Sequence, residues 1–356
     1  MKNNKYNTPI FQNLSYGGGG PVTVEGLDTS TVTDFSYFAY NNRFTEEQLQ
    51  NINTKIGTDF SYMFYNCISL TTIPQLNTSS GTSFSDMFRS CTSLTTIPQL
   101  DTSSGTKFDY MFQNCTSLTT IPQLDTSNGT NFIYMFQNCT SLTTIPQLNT
   151  SKGTNFSYMF KDCTSLTTIP QLYTSNGTNF ESMFYNCKSL TTIPQLDTSK
   201  GTNFSYMFRD CTILTTIPQL DTSSGTNFNS MFYNCTSLTT IPQLDTSSGT
   251  SFGDMFAYCS SLTTVELTSF VSSYNMFAYC SALENLTVTG TITVKNNYFN
   301  LSYSPKLTVD SLMSVINALS DNTGKTTYTV TLGATNLAKL TDEQKQIAIN
   351  KNYTLA

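Results

Sequence analysis

The sequence predicts an α/β repeat solenoid, a right-handed coil of about ten 24-residue units, each built as strand, turn and short helix, with modified capping ends. Three observations predict it. A segment of fixed length recurs, one clean copy being residues 115–138, CTSLTTIPQLDTSNGTNFIYMFQN. Apolar residues keep the same phase in successive copies, and so do one Gly and one Pro. A single copy has too few apolar residues to fold alone, so the copies must stack.

Within each unit the spacing predicts a short helix followed by an extended segment. The helical set is spaced i, i+3, i+4 and i+7, namely Phe132, Met135, Phe136 and Cys139. The extended set recurs every third residue, namely Leu142, Ile145 and Leu148. Pro146 cannot donate a backbone hydrogen bond, so the paired strand must be short. Gly153, in the polar turn that follows, is predicted to have a positive φ.

The ten cysteines lie at one phase of the repeat, 24 residues apart until the last, which follows after 21. A residue type at one phase of every coil is typical of a buried structural column, and free Cys is often buried. Disulfides between neighbouring coils are the alternative, and a zinc site is less favoured because the chain has no His. The predicted column consists of Cys67, Cys91, Cys115, Cys139, Cys163, Cys187, Cys211, Cys235, Cys259 and Cys280.

Both ends of the repeat array depart from the pattern, as the open ends of a solenoid require. We expect a flexible arm at residues 1–26, with a disordered leader as the alternative, and a capping repeat at 27–59. The solenoid proper is assigned to 60–285 and a C-terminal cap to 286–356. Residues 45–48 and 341–344 are predicted capping boxes that open helices. A further helix is expected around residues 309–319 and a strand at 328–332.

Composition excludes several classes of function. Without His, a Ser-His-Asp or Cys-His catalytic arrangement is impossible, so we expect no enzyme, cofactor or metal site. The formal net charge of -6 leaves no basic patch for nucleic acid. No apolar run approaches the roughly 18 residues that span a bilayer, and the N-terminus lacks a secretory signal. Asp101 and the residues at its phase are expected to bond to turn backbone, with calcium as the alternative.

Two surfaces are candidates for binding. Thr95, Thr96 and Gln99 with their equivalents form repetitive columns that favour stacking, with ice or a crystalline polysaccharide as the alternative ligand. The other surface lies around the Met-Phe pair, where the copies differ. Tyrosines with amides suit glycan or protein partners, whereas sequence drift on a solvated face is the alternative. The candidate exposed row is Tyr110, Tyr134, Tyr158 and Tyr206, with Asn114 and Asn138.

The unit MF-x-x-C-x-S-L-T-T-I-P-x-L-[DN]-T-S-x-x-T-x-F, as in residues 87–108, resembles the BspA-type leucine-rich repeat over residues 60–280. That family occurs on bacterial and protist cell surfaces and in phage structural proteins. The tail at residues 307–356 resembles the ending of such proteins encoded by phages of gut bacteria. The resemblance implies a leucine-rich-repeat coil.

The same resemblance implies a surface role. The leading expectation is a phage virion or tail component on the virion surface that contacts a host surface protein or glycan. Its N-terminal arm would bind other virion or surface proteins, and neither nucleic acid nor membrane insertion is expected. The alternatives are a bacterial cell-surface adhesin and a purely structural scaffold.

Overall fold

Parallel backbone bridges spaced one repeat apart define the architecture. The computed structural model describes residues 28–356, so the predicted arm at 1–26 lies outside the described residues. Asp34 pairs with Asp59, Asp59 with Ser83, and the series continues coil by coil to Ser251. Each pairing is parallel and joins residues at the same phase of successive repeats. The predicted repeat solenoid is therefore confirmed.

The segment around each Met-Phe pair is a series of turns, so the predicted short helix is wrong. Met135 N donates to Phe132 O at 3.2 Å, and Cys139 N donates to Phe136 O at 3.1 Å. These i+3 to i bonds close four-residue β-turns, and residues 50–308 contain no helix. Tyr134 and Asn138 have φ of 58° each, which interrupts any right-handed helical path.

Bonds to the next coil explain why turns replace the helix. The N–H groups of Tyr134, Phe136 and Asn138 donate to carbonyls one coil further along, at 3.2, 2.9 and 2.7 Å. A regular helix would direct these donors to its own carbonyls four residues back. Stacking thus uses every second N–H of the segment along the solenoid axis, and the left-handed residues orient them there.

Among residues 28–356, regular strands lie in the last coils of the array and in the segment after it. In the central repeats each coil makes one parallel bridge, two residues after the turn glycine, and the extended segment that contains the Pro makes none. Where the Pro is absent, strands form: β1 (Thr264–Leu267), β2 (Phe270–Val271), β3 (Asn285–Val288) and β4 (Ile292–Thr293). β1 pairs with β3 and β2 with β4, both in parallel. The predicted strand around residues 142–148 is therefore an extended segment without a bridge in the central repeats.

The core is built from columns of identical side chains, above all two columns of phenylalanine. Phe132 and Phe156 stack with ring centroids 5.8 Å apart, and Phe136 and Phe160 at 5.6 Å. All four are fully buried. At roughly 1.5–3 kcal/mol for each buried Phe, these columns supply a large part of the stability of each coil.

The glycine of each turn is required for space and not for a left-handed backbone. Within residues 28–356, the glycines with positive φ are Gly324 and Gly333, so the prediction for Gly153 was wrong. A Cβ added at Gly153 would lie 2.6 Å from Phe156 Cζ and 2.9 Å from Phe132 Cε2. The phenylalanine columns therefore pass too close to this backbone position for any side chain.

The elements flanking the central coils include the predicted helices. A single 3-10 turn spans Tyr40–Asn42, and α1 (Glu46–Leu49) opens on the predicted capping box at Thr45. After the array come α2 (Val309–Ala318), β5 (Tyr328–Val330), α3 (Ala334–Leu337), α4 (Asp342–Asn350) and β6 (Tyr353–Leu355). α4 opens on the predicted capping box at Thr341. β5 pairs with β6 in parallel.

Helix α2 covers the outer edge of β3. Leu286 N donates to Ser311 Oγ at 3.0 Å and Val288 N to Ser314 Oγ at 2.9 Å. Two strand donors that would face solvent are thereby satisfied by serine side chains. The boundaries 27–59, 60–285 and 286–356 remain predictions. None of the helices in residues 28–356 has the length and hydropathy needed to cross a bilayer.

The cysteine column is buried, and its thiols are hydrogen-bonded to backbone. All ten cysteines are free. Cys163 Sγ donates to Phe136 O of the preceding coil at 3.0 Å, and the same bond recurs at its equivalents. Phe136 O also accepts from Cys139 N, so each thiol supplies a second donor to a carbonyl buried between coils.

We expect Cys163→Ser to lower the free energy of unfolding by about 1 kcal/mol, because the hydroxyl keeps the donor but is more polar in an apolar site. Cys163→Ala removes the donor to Phe136 O and should cost about 1–3 kcal/mol. Urea unfolding measures both. Intact mass without reductant should equal that of ten free thiols, and a mass lower by five disulfides would contradict this account.

Candidate ligand-binding face

The residues on either side of each Met-Phe pair form a continuous surface that we call the turn face. Its tyrosine column comprises the residues before Met, its cation column the residues after Phe, and its amide column the next residues. The tyrosine column runs Tyr62, Asp86, Tyr110, Tyr134, Tyr158, Ser182, Tyr206 and Ser230. The cation column runs Tyr65, Arg89, Gln113, Gln137, Lys161, Tyr185, Arg209 and Tyr233. The amide column runs Asn66, Ser90, Asn114, Asn138, Asp162, Asn186, Asp210 and Asn234.

Three of the four tyrosines in the predicted row form one stack. Tyr134 lies between Tyr110 and Tyr158, with ring centroids 4.8 and 4.5 Å away. The fourth, Tyr206, is separated from the stack by Ser182, so the structure does not join it to the others. The row was expected to be exposed, but these side chains are half-buried because each ring covers its neighbour. The stack therefore presents ring edges and hydroxyl groups.

The tyrosine hydroxyls remain protonated over the physiological pH range. Burial raises the pKa of Tyr110 and of Tyr134 above the ordinary value. Burial and the hydrogen bond that Tyr158 Oη donates to Glu181 Oε1 raise the pKa of Tyr158 as well. The stack accordingly offers neutral phenol groups, which both donate and accept hydrogen bonds.

The left-handed backbone holds the tyrosine stack in a fixed position. Tyr110, Tyr134 and Tyr158 have φ of 58–60°, which is rare for a bulky residue. Each is kept there by the inter-coil bond of its own N–H, such as Tyr158 N to Glu181 O at 2.8 Å. The free energy needed for this backbone conformation is supplied when the protein folds. The rings are therefore already in position before a ligand binds.

The amide column is tied together by its own side chains. Asn138 Nδ2 donates to Asn114 Oδ1 at 3.1 Å, and Asn114 Nδ2 donates to Ser90 Oγ at 3.4 Å. Further along, Asn186 Nδ2 donates to Asp162 Oδ1 at 2.7 Å. One N–H of each amide is thus used along the axis. Because a carboxamide has two N–H donors, the second remains for a ligand beside the tyrosine stack.

The cations of the turn face, which the sequence places directly after the Met-Phe pairs, lie over its aromatic rings. Arg89 lies over Tyr110 at 5.1 Å, Lys161 over Tyr185 at 4.9 Å, and Arg209 over Tyr233 at 4.2 Å from the ring centroids. Such contacts contribute about 0.5–1 kcal/mol each at exposed sites. The fixed phase of these cations was visible in the sequence. Tyr185 and Tyr233 lie at the same phase one coil further along, whereas the contact of Arg89 with Tyr110 joins two columns and depends on the turn geometry, which was predicted wrongly.

Arg89 is also paired with an acidic residue that interrupts the tyrosine column. Its Nη1 lies 3.0 Å from Asp86 Oδ1. Burial raises the pKa of Asp86, although the hydrogen bond from Arg89 opposes this. Asp86 therefore separates the ring of Tyr62 from the stack that begins at Tyr110, and the face is divided into segments of different charge.

The other surfaces named from the sequence behave as stacking elements. Asp101 Oδ1 accepts from Ser103 N at 3.1 Å and from Ser103 Oγ at 2.6 Å, which confirms turn bonding, and the Ser103 bonds lower the pKa of Asp101. Thr95 Oγ1 donates to Thr71 O at 3.2 Å. Gln99 Nε2 donates to Gln123 O at 2.5 Å. The Thr and Gln columns therefore join successive coils.

The turn face combines groups suited to reversible recognition: phenol hydroxyls, ring edges, amides and cations in fixed positions. Within residues 28–356, no group of three or more His, Cys, Asp or Glu side chains is placed to hold a metal ion. The predicted site residues Tyr110, Tyr134, Tyr158, Asn114 and Asn138 share this face, and Tyr206 lies two coils beyond Tyr158.

Three solved structures of leucine-rich repeat proteins are similar to the chain. A leucine-rich cell surface protein from Faecalibacterium prausnitzii is 20% identical over 64% of this chain and 82% of its own, with a TM-score of 0.30. A leucine-rich repeat protein from Bacteroides ovatus is 16% identical over 84% and 87%, with a TM-score of 0.31. An internalin from Listeria monocytogenes is 13% identical over 81% and 83%, with a TM-score of 0.30. The fold of the chain is defined by its own coil-to-coil contacts.

Comparison of sequences places the chain in a family. No curated protein matches it. The sequence profile of the family described as "Mycoplasma protein of unknown function, DUF285" matches residues 10–121, 95–193 and 167–270. These matches overlap and together span residues 10–270, well over half of the 356 residues. The chain therefore belongs to the DUF285 family.

Proposed function

We propose that the protein is a non-catalytic binding protein displayed on a surface and that it recognises its partner through the turn face. The observation that carries the proposal is the stack of Tyr110, Tyr134 and Tyr158, whose rings lie 4.5–4.8 Å apart on a backbone fixed by inter-coil bonds. Aromatic groups that are already ordered lose little conformational entropy when a ligand binds, so more of their contact energy contributes to affinity.

The partner is a glycan or a protein on the surface of another cell. Phenol hydroxyls and amides of the face match the hydroxyls of a glycan, and its ring edges and cations match a protein surface. Arg89 and Lys161 flank the two ends of the tyrosine stack, at the coil before Tyr110 and the coil of Tyr158. A ligand that follows the stack would therefore meet a cation at each end.

We expect purified, labelled protein to bind selectively within a panel of bacterial cells and their isolated surface glycans. Replacing both Tyr134 and Tyr158 by Ala should weaken that binding at least about tenfold, equivalent to about 1.4 kcal/mol, because it removes the centre of the stack. Tyr173→Ala is the matched control, since Tyr173 is an exposed tyrosine at another phase of the repeat. Equal binding by the double variant and the control would contradict the proposal.

Two locations fit a displayed binding protein: the surface of a phage particle, where the chain would be a virion or tail component, and the surface of a bacterial cell, where it would be an adhesin. Under the first proposal, residues 1–26 attach the solenoid to other virion proteins. Mass spectrometry of purified virions and of washed cells from the same culture distinguishes them. Detection in virions supports the first location, and detection on cells with a processed N-terminus supports the second.

A further inference from the structure

The exposed tyrosines of the described chain are concentrated in the coils after the last cation of the turn face. Five of them fall between residues 258 and 303, with 41–60% of their surface exposed. No other large apolar side chain in that interval is exposed. We call these residues the tyrosine cluster: Tyr258, Tyr274, Tyr279, Tyr298 and Tyr303.

The tyrosine cluster consists of two lines that follow the solenoid axis. Tyr258, Tyr279 and Tyr303 stack with ring centroids 4.7 and 4.6 Å apart, at the phase of the amide column. Tyr274 and Tyr298 form the second line, with centroids 6.2 Å apart and ring planes at 85°. In an edge-to-face pair only one face of one ring is covered by the other ring, and Tyr274 is 60% exposed. The second line therefore offers an aromatic face, whereas the first offers ring edges and hydroxyls.

Small residues separate the two lines. At the cation-column phase, where earlier coils carry Arg, Lys, Gln or Tyr, these coils have Ala257 and Ala278, both buried. At the tyrosine-column phase they have Asp254 and Asn275, which are half-buried. The strip between the aromatic lines therefore has short side chains, two of them polar. It has no cation at the phase that Arg89, Lys161 and Arg209 occupy in earlier coils.

The hydroxyl groups of the cluster are uncommitted. Within residues 28–356, none of the five phenol hydroxyls makes a hydrogen bond, in contrast to Tyr158, whose hydroxyl is bonded to Glu181. Each tyrosine therefore combines an apolar ring with a free donor and acceptor. The groups that meet on this surface are aromatic faces, hydroxyls, one amide and one carboxylate.

We propose that the tyrosine cluster is a binding site for a neutral oligosaccharide lying along the solenoid axis. A sugar ring has an apolar C–H face that stacks on an aromatic ring, here Tyr274, and a rim of hydroxyls that pair with Asn275, Asp254 and the phenols. The carboxylate of Asp254, with no cation at the neighbouring column, disfavours an anionic ligand. Protein interfaces are enriched in Met and Arg as well as in aromatic residues, and the cluster offers no exposed Met or Arg beside its tyrosines.

The site is independent of the proposed partner site at Tyr134 and Tyr158, which lies several coils away. Isothermal titration of the full chain with hexasaccharides of β-1,4-glucan, β-1,4-mannan, β-1,3-glucan and chitin tests it. We expect at least one to bind. Tyr274→Ala should weaken that binding at least about tenfold, while Tyr274→Phe, which keeps the ring, should leave it within about threefold. Tyr173→Ala and the Tyr134/Tyr158 double variant serve as controls and should bind normally.

Three results would overturn the proposal: no binding of any of the four oligosaccharides at about 10 mM, binding that Tyr274→Ala leaves unchanged, or binding that the Tyr134/Tyr158 variant abolishes. The last result would show that the sugar binds at the turn face. It would support the proposed function and contradict the proposed site at the tyrosine cluster. Circular dichroism of each variant verifies that it is folded. Since Tyr274 is largely exposed, its replacement should leave the core unchanged.

Discussion

In reducing buffer, the free energy of unfolding is expected to fall steeply once the pH exceeds about 9, by up to about 12 kcal/mol per pH unit. The cause is the cysteine column. Burial raises the pKa of nine of its thiols, to about 12 for Cys115, Cys211 and Cys259, from an ordinary value of 9.0. The nine are Cys91, Cys115, Cys139, Cys163, Cys187, Cys211, Cys235, Cys259 and Cys280.

The free energy of unfolding falls with rising pH because the thiols of the unfolded chain ionise at a lower pH than those of the folded chain. Below pH 9 the thiols are neutral in both states, so the native state keeps its full stability. Above pH 9 the unfolded chain releases thiol protons that the folded chain retains, and each such thiol favours unfolding by about 1.4 kcal/mol per pH unit. The loss continues until the pH approaches the folded pKa values near 12. At about 0.05–0.15 kcal/mol per residue, a chain of 356 residues is stabilised by about 18–53 kcal/mol, so at this slope it should unfold no sooner than about 1.5 pH units above 9.

Urea unfolding at closely spaced pH values between about 8 and 9.5 measures this slope where most tyrosines are still protonated. The matched variant replaces Cys139, Cys163 and Cys187 by Ala, which removes three of the nine thiols. Its stability at pH 7 should be lower, but its slope above pH 9 should be smaller by about one third. A wild-type slope near zero, or equal slopes for the two proteins, would show that the thiols are not buried as described.

Replacing Gly177 by Ala is expected to cost about 3 kcal/mol, although the change adds one methyl group. Its Cβ would lie 2.6 Å from Phe180 Cζ, 3.0 Å from Phe156 Cε2 and 3.0 Å from the backbone oxygen of Thr174. The two rings belong to a continuous column and cannot move aside without displacing the next coil. The oxygen belongs to the backbone that closes the turn, since Gly177 N donates to it at 2.7 Å.

Gly253→Ala provides the control for Gly177→Ala. Its Cβ would meet Asn229 Oδ1 at 3.3 Å and nothing closer, and neither glycine has a positive φ. We therefore expect Gly253→Ala to change the free energy of unfolding by less than about 1 kcal/mol in urea titrations. Similar losses for the two variants would mean that backbone freedom, and not the phenylalanine column, explains the repeated glycine.

The sequence was sufficient to predict which residues stack, because a constant 24-residue spacing places Tyr110 beside Tyr134 and Cys139 beside Cys163. The capping boxes at Thr45 and Thr341 were also predictable, because their contacts are local. The short helix was predicted wrongly for a physical reason. Turns and a helix both place Phe132, Met135, Phe136 and Cys139 on one side, and the choice between them depends on carbonyls of the next coil.

The candidate site was predictable in its membership and not in its geometry. The alignment of copies identifies Tyr134 and Asn138 as column residues. It does not reveal that both adopt a left-handed backbone or that stacked rings bury each other. The contact of Arg89 with Tyr110 was not predictable either, because it joins two columns and depends on those turns. The reason for the repeated glycine was also missed. Two rings exclude a side chain at Gly153, and one of them, Phe132, belongs to the preceding coil.

The inter-coil bonds that replace a helix also determine how the protein responds to force. These bonds run along the solenoid axis, and each coil is held by its two neighbours alone. A pull along the axis therefore loads the end coils first, and coils peel away one at a time. Each released coil adds 24 residues of slack, about 80 Å when extended. A solenoid that links two surfaces can thus lengthen in many small steps while the coils that remain keep their binding groups in place.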